Sequence, residues 1–166
     1  MTTLFLLRHA KARWAEPGSR DYDRALDPAG KADAETVAAA MLLAGHLPEL
    51  VLCSGALRAR ETWDAAARHL KVADVRYLDG LYSSDAAGYL EIIRDAGGAE
   101  KVLVVGHNPM MEDLTLALSH DGEAEAMAAV AGGFPTAGLA VIRFSGPISA
   151  IAPGNGYLEE FIAPQA

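Results

Sequence analysis

Cysteine is almost missing from this 166-residue chain: Cys53 stands alone. No internal disulfide can form, and a lone thiol fits a reducing, cytoplasmic compartment. Long apolar runs are missing too. Met1 to Leu7 is apolar, but Arg8 and His9 interrupt it too early for a signal peptide or a membrane span. Runs of Lys or Arg are also lacking, and the formal net charge is −8. Such a chain repels nucleic acid and anionic membranes at long range, so neither is an expected partner. If it handles an anion, positive charge must be focused in one pocket. Internal repeats, low-complexity segments and interdomain linkers are absent as well.

What remains is a globular composition, 51% apolar and 22% charged. Residues 1–166 read as one domain with a core that needs no staple. Thr3 to Leu7, Leu50 to Cys53, Val75 to Leu78 and Lys101 to Val105 read as strands, the last being the most continuous. Helices are expected between them. One opens at Asp27-Pro28, where Asp caps and Pro suits the first turn, and stops at Gly45. Others are expected over Ala56 to Leu70, Ala86 to Asp95, Pro109 to Ser119 and Glu123 to Ala131. Leu139 to Phe144 and Ile148 to Ile151 look like late strands joined at Ser145-Gly146-Pro147, forming an antiparallel edge, with one more strand at Tyr157 to Ile162. Strand–helix alternation of this kind predicts an α/β sandwich around a mostly parallel sheet. Lys11 to Leu26, charged and aromatic, reads as a loop over an active site.

Three polar groups directly follow apolar strands: Arg8-His9, Ser54 to Arg58, and Gly106-His107-Asn108-Pro109. Ligands of open α/β sheets bind outside the carboxyl ends of strands. If these strands are neighbours, two imidazoles and two guanidinium groups meet in one crevice. Arg8 and Arg58 suit forked contacts to phosphate oxygens. A neutral His9 suits attack on phosphorus, with its second ring nitrogen held by a backbone carbonyl. His107 suits donation to an equatorial oxygen, and the Gly106 to Met110 turn is expected to aim helix-end donors at the pocket.

The same residues carry a resemblance. Leu6-Leu7-Arg8-His9-Ala10-Lys11-Ala12 resembles the phosphate-site motif of the histidine phosphatase superfamily, the phosphoglycerate mutase-like proteins. Ser54-Gly55-Ala56-Leu57-Arg58-Ala59-Arg60-Glu61-Thr62 resembles its second motif and Val104-Val105-Gly106-His107-Asn108-Pro109 its third. The segment Asp21 to Leu26, Phe134-Pro135-Thr136 and the short length resemble the compact SixA-type branch, which is associated with phosphohistidine phosphatases. The resemblance implies a three-layer α/β/α sandwich with a six-stranded mixed sheet, one strand antiparallel. It implies His9 as phosphoryl acceptor, with Arg8, Arg58 and His107 completing the pocket and Asn108 beside them for substrate. It implies no cofactor and no metal. The substrate would be a phosphorylated protein or a small phosphorylated molecule. Larger relatives carry an acidic proton donor in an insert. No glutamate here matches it, although Glu16, Asp21 and Asp23 lie in the first loop. A phosphoramidate leaves easily once its nitrogen is protonated, so a site without a dedicated acid favours phosphohistidine. A phosphatase for small metabolites and a phosphate-binding module without turnover are the competing readings.

Other residues take blander roles. Arg60 reads as structural or salt-bridging, Asp23-Arg24 as an ion pair ordering the first loop, and His46, His69 and His120 as surface imidazoles. Cysteine-phosphatase chemistry fails on spacing, because Arg58 comes one position early and Arg60 one late for a Cys, five residues and an Arg. Metal hydrolysis is disfavoured, because His9 and His107 lack carboxylate or cysteine partners at ligand spacing.

Overall fold

The computed structural model describes residues 1–164. Seven strands form one sheet: β1 (Thr2–Arg8), β2 (Leu50–Ser54), β3 (Asp74–Leu78), β4 (Lys101–Gly106), β5 (Ser119–Gly122), β6 (Leu139–Phe144) and β7 (Gly156–Ile162), in the spatial order β3-β2-β4-β1-β6-β7-β5. β2, β3 and β4 run parallel to β1, whereas β6 is antiparallel to both β1 and β7. The expected mixed α/β sheet is therefore present, with one strand more than the six anticipated.

Helices cover both faces. Along β1, alternate residues point to opposite sides, as the pleat requires. Phe5 and Leu7 join Val51, Cys53, Leu103 and Val105 against α1 (Pro28–Ala44) and α2 (Leu57–Ala66). Leu4 and Leu6 join Leu50, Leu52, Val102 and Val104 against α3 (Gly80–Ser83), α4 (Ala86–Arg94), α5 (Met110–Leu118) and α6 (Ala124–Ala131). Each such fully buried side chain contributes roughly 1.5–3 kcal/mol over an exposed one, which makes this double-sided core the main source of stability.

Local chemistry sets the helix ends. Asp27 accepts the Gly30 N–H at 2.7 Å, Pro28 occupies the first turn, and Gly45 closes α1 in the left-handed region at φ 77°. Asp85 caps α4 in the same way through Gly88.

Three expectations need correction. Ile148–Ala150 is a short 3-10 turn and not a strand. Ile148 and Ile151 are both buried, and the Ile151 carbonyl accepts from Arg94 Nε at 2.8 Å, so its backbone is satisfied by α4 instead of a ladder. The antiparallel strand is not at the edge, since β6 lies between β1 and β7, and the edge is the short, polar β5. The second helix ends at Ala66, four residues before Leu70, and continues as turns.

Candidate active site

Sheet register brings the polar groups together. Arg8 at the end of β1 pairs with Gly106 at the end of β4, while Cys53, just before Ser54, pairs with Val105. β1, β4 and β2 are adjacent, so their carboxyl ends open on one crevice. The ring centroids of His9 and His107 lie 5.2 Å apart at 54°. The His9 N–H donates to the Gly106 carbonyl at 2.9 Å, and the Ala137 N–H donates to the Arg8 carbonyl at 3.1 Å. Ala10 N–H donates to Thr62 Oγ1 at 2.9 Å, and that hydroxyl donates to the Arg58 carbonyl at 2.7 Å. Thr62, four residues after Arg58, thus ties α2 to the residue following His9. It is a support that the motif contains but that chain reading alone did not single out.

His9 Nδ1 lies 2.7 Å from the Ala10 carbonyl, which can only accept, so Nδ1 carries the ring proton and Nε2 keeps its lone pair. Burial pushes the His9 pKa down to about 4. The Ala10 carbonyl opposes this, while the charges of Arg58, Arg8 and Arg24 reinforce it. His107 is 5% exposed; burial, helped by His9 and Arg58, brings its pKa down to about 3. Both rings are therefore neutral at neutral pH.

Arg8 Nη1 donates to the Phe134 carbonyl at 2.9 Å. Burial lowers the Arg8 pKa and the Glu112 carboxylate opposes that shift. Arg58 donates through Nη1 to the Asp21 carbonyl at 2.9 Å and through Nη2 to Asp21 Oδ2 at 3.1 Å. Among the described residues, the buried side-chain nitrogens and oxygens without a hydrogen-bond partner are Arg8 Nε, Arg58 Nε, His107 Nδ1 and Ser119 Oγ. Three of these four belong to the crevice. An orphaned buried donor costs about 1–3 kcal/mol, so such a cluster in one place calls for an anion's oxygens.

Some expectations are redistributed. Asn108 is beside the crevice, but its amide donates to the Phe134 carbonyl at 3.0 Å and its oxygen accepts the Glu112 N–H at 3.2 Å. The Met111 N–H is taken by the His107 carbonyl and the Asp113 N–H by Pro109. The Met111 and Asp113 donors are therefore used at the start of α5, and inside the turn the His107 backbone N–H donates to the Tyr89 hydroxyl at 3.2 Å. Asp23 does not pair with Arg24: Asp23 pairs with Arg20 at 2.8 Å and Arg24 with Asp21 at 3.1 Å. Arg60 makes a cation–π contact 5.3 Å from the Tyr77 ring centroid. His46 pairs with Glu160 at 2.7 Å and His69 with Glu35 at 3.2 Å, away from the crevice.

The loop from Lys11 to Leu26 folds back on itself through an Ala12–Leu26 bridge and a 3-10 turn at Asp21–Asp23. That fold brings in Asp21 and Arg24, and α3 brings in Tyr82, whose hydroxyl donates to Asp21 Oδ2 at 2.8 Å. Burial acts to raise the Asp21 pKa, but hydrogen bonds from Tyr82, Arg24 and Arg58 outweigh it and bring the value down to about 2. No residue marked a role for Tyr82 in the sequence. Its ring stands edge-on to His107, 5.5 Å between centroids. Among the described residues no group of three or more His, Cys, Asp or Glu side chains is placed to hold a metal ion.

The profile of the histidine phosphatase superfamily (branch 1) matches residues 4–89, more than half of the chain. The chain belongs to the histidine phosphatase superfamily. It is 34% identical over 165 residues to the uncharacterized protein Rv1276c of Mycobacterium tuberculosis, covering 96% of this chain and 100% of the relative. Among solved structures it is similar to a protein of Agrobacterium tumefaciens that carries the provisional name phosphohistidine phosphatase SixA. That match has 40% identity and a TM-score of 0.83, over 98% of this chain and 99% of the other. A provisionally named SixA of Nakamurella multipartitia matches at 31% identity and a TM-score of 0.83, over 99% and 97%. Superfamily membership and the solved relatives support a phosphatase.

Proposed function

We propose that this chain is a metal-independent phosphatase that takes the phosphoryl group onto His9 Nε2 and acts on phosphohistidine in proteins or on another phosphoramidate. The observation that carries this reading is the convergence of one lone pair with three unpartnered nitrogens. Nε2 of His9 is free because Nδ1 is held by Ala10, and Arg8 Nε, Arg58 Nε and His107 Nδ1 await acceptors. A nucleophile ringed by donors suits a phosphoryl group in flight, where positioning and charge stabilisation do most of the work.

The steps balance without a proton donor. A phosphohistidine protonated on its distal ring nitrogen loses its phosphoryl group to His9, and the P–N bond electrons return to the leaving ring, which departs neutral. His9 becomes a phosphoimidazolium whose Nδ1–H rests on the Ala10 carbonyl. Water then attacks phosphorus, its proton leaves with the product phosphate, and His9 is restored. Asp21 reaches the crevice from the first loop, and its pKa near 2 leaves it ionised at neutral pH. That suits a leaving group that is already protonated. A lone buried thiol fits a cytoplasmic setting.

The test is to trap the intermediate. Brief reaction with 32P-labelled phosphohistidine peptide, quenched in alkali, is expected to leave acid-labile label on the wild-type chain and none on His9→Ala. Binding of the peptide without label transfer would leave a phosphate-binding module. Faster turnover of sugar phosphates than of phosphohistidine peptide would favour a metabolite phosphatase.

A further inference from the structure

Asp21 presents a carboxylate that the catalytic steps above leave without a task. We propose that Asp21 receives the distal N–H of the substrate's phosphohistidine ring, and so selects a phosphoimidazolium over a phosphate ester. The inference rests on the phosphoramidate reading and names the residue that enforces it.

Position comes first. In-line displacement places the leaving nitrogen on the side of phosphorus opposite His9 Nε2. His107 is 5% exposed and forms part of the floor, so the leaving group points to the open side. Asp21, whose side chain is 50% exposed, stands at that open rim, bonded to Arg58 and to Tyr82. Its carboxylate is held from three directions, by Tyr82 at 2.8 Å, Arg58 at 3.1 Å and Arg24 at 3.1 Å. The Tyr82 ring that donates to it packs edge to face on Tyr22, with centroids 5.0 Å apart. A fixed carboxylate beside an aromatic pair suits a flat heterocycle that carries an N–H donor.

Capacity comes next. Oδ2 already accepts from Tyr82 and Arg58, but Oδ1 accepts from Arg24 alone and can take a second donor. An N–H of a phosphoimidazolium is such a donor. Accepting it stabilises the protonated ring, which is the form that leaves as neutral imidazole. A phosphate ester gains nothing from this group. Its leaving oxygen needs a proton delivered to it, and a carboxylate tied to two guanidinium groups does not deliver one.

The alternative task for Asp21 is to position Arg58. The two tasks separate by substrate, because Arg58 serves every phosphoryl group whereas an N–H acceptor serves only a ring that has an N–H. Asp21→Asn keeps the size and an acceptor for Tyr82. kcat/KM is measured at neutral pH for a phosphohistidine peptide and for p-nitrophenyl phosphate, with thermal melts confirming that both proteins are folded. The ratio of phosphohistidine to aryl phosphate is expected to fall about 10-fold or more in Asp21→Asn, as for loss of a hydrogen bond to a charged group. A ratio equal to that of the wild type, whether both rates drop or neither does, overturns the assignment. Wild-type enzyme that hydrolyses the aryl phosphate and leaves the phosphohistidine peptide intact overturns the substrate reading itself, so the two failures are told apart.

Discussion

Ser54 Oγ lies 2.8 Å from Nε2 of His107, and the same oxygen receives the Ala56 N–H at 3.2 Å. Among the described residues the Ser54 hydroxyl proton has no acceptor other than Nε2, so it donates there, and the neutral imidazole then carries its proton on Nδ1. Nδ1 is the ring atom that has no protein partner. A serine ending β2 thus decides which nitrogen of an imidazole after β4 is the donor in the crevice.

Removing that control should cost turnover. His107→Ala removes the donor outright and is expected to lower kcat by about 10²-fold or more. Ser54→Ala keeps the ring but releases its tautomer, so its loss should be smaller and fall on kcat more than on KM. It also strips partners from two buried groups, at a stability cost of about 1–3 kcal/mol. Steady-state rates on p-nitrophenyl phosphate, set beside melting midpoints, check both. A Ser54→Ala enzyme with unchanged kcat would remove Ser54 from the catalytic arrangement.

Acid should act on activity and stability at different pH. His9 attacks as the neutral ring, and its pKa is pushed from 6.5 to about 4 by burial. Turnover of an aryl phosphate should therefore hold from pH 7 to about 5 and fall only near 4, unlike an ordinary histidine nucleophile. Stability responds earlier. His9 and His107 have folded-state values of about 4 and about 3, below 6.5 in the unfolded chain. Above pH 6.5 both states are neutral and nothing is lost. Below it the unfolded chain binds protons that the folded chain refuses, so stability drops as pH falls from 6.5 to about 3, by up to about 1.4 kcal/mol per ring per pH unit. The carboxyl of Asp21, held down to about 2, adds a loss only below its ordinary value of 3.8. Melts of wild type and of His107→Gln between pH 8 and 5 read this directly, and the variant should lose less on acidification.

Much of the fold and the crevice was legible because the signals were local. Asp27, Pro28 and Gly45 mark α1 by their own backbone chemistry, and the apolar runs of β1, β2 and β4 have few alternatives to burial. The groups that follow those strands needed only adjacency, which the sheet order supplies. β5 was illegible since Ser119-His120-Asp121-Gly122 has no apolar pattern, and it forms by completing the free edge of β7. Ile148 to Ile151 misled for the opposite reason, being apolar to fill the core beside α4 and not to pair. Asp21, Arg24 and Tyr82 enter the crevice only through the folded-back first loop and the α3 turn. Such contacts, Asp21 to Tyr82 among them, leave no periodic trace in sequence.

Gly55 shows how that loop is fastened. The Tyr22 hydroxyl donates to Asp79 Oδ1, joining the Asp21–Asp23 turn to the residue before α3. A Cβ at Gly55 would lie 2.1 Å from Asp79 Oδ1 and 2.3 Å from the Tyr22 hydroxyl, inside both atoms' contact distance. Both are ends of flexible side chains, so Gly55→Ala can be accommodated by parting them, with little disturbance of the core. The expected phenotype is therefore selective. Stability should fall by about 1–3 kcal/mol at most, the range for an added methyl group in a packed site. The loop, losing its Tyr22–Asp79 tie, should expose Arg13 and Arg20 to trypsin sooner. Because the same loop carries Asp21 to Arg58, activity should fall more than stability does. Trypsin time courses beside kcat/KM and melts check this. Gly55→Ala with wild-type proteolysis and wild-type activity would mean that the Tyr22–Asp79 contact holds nothing that the Asp21–Tyr82 contact does not already hold.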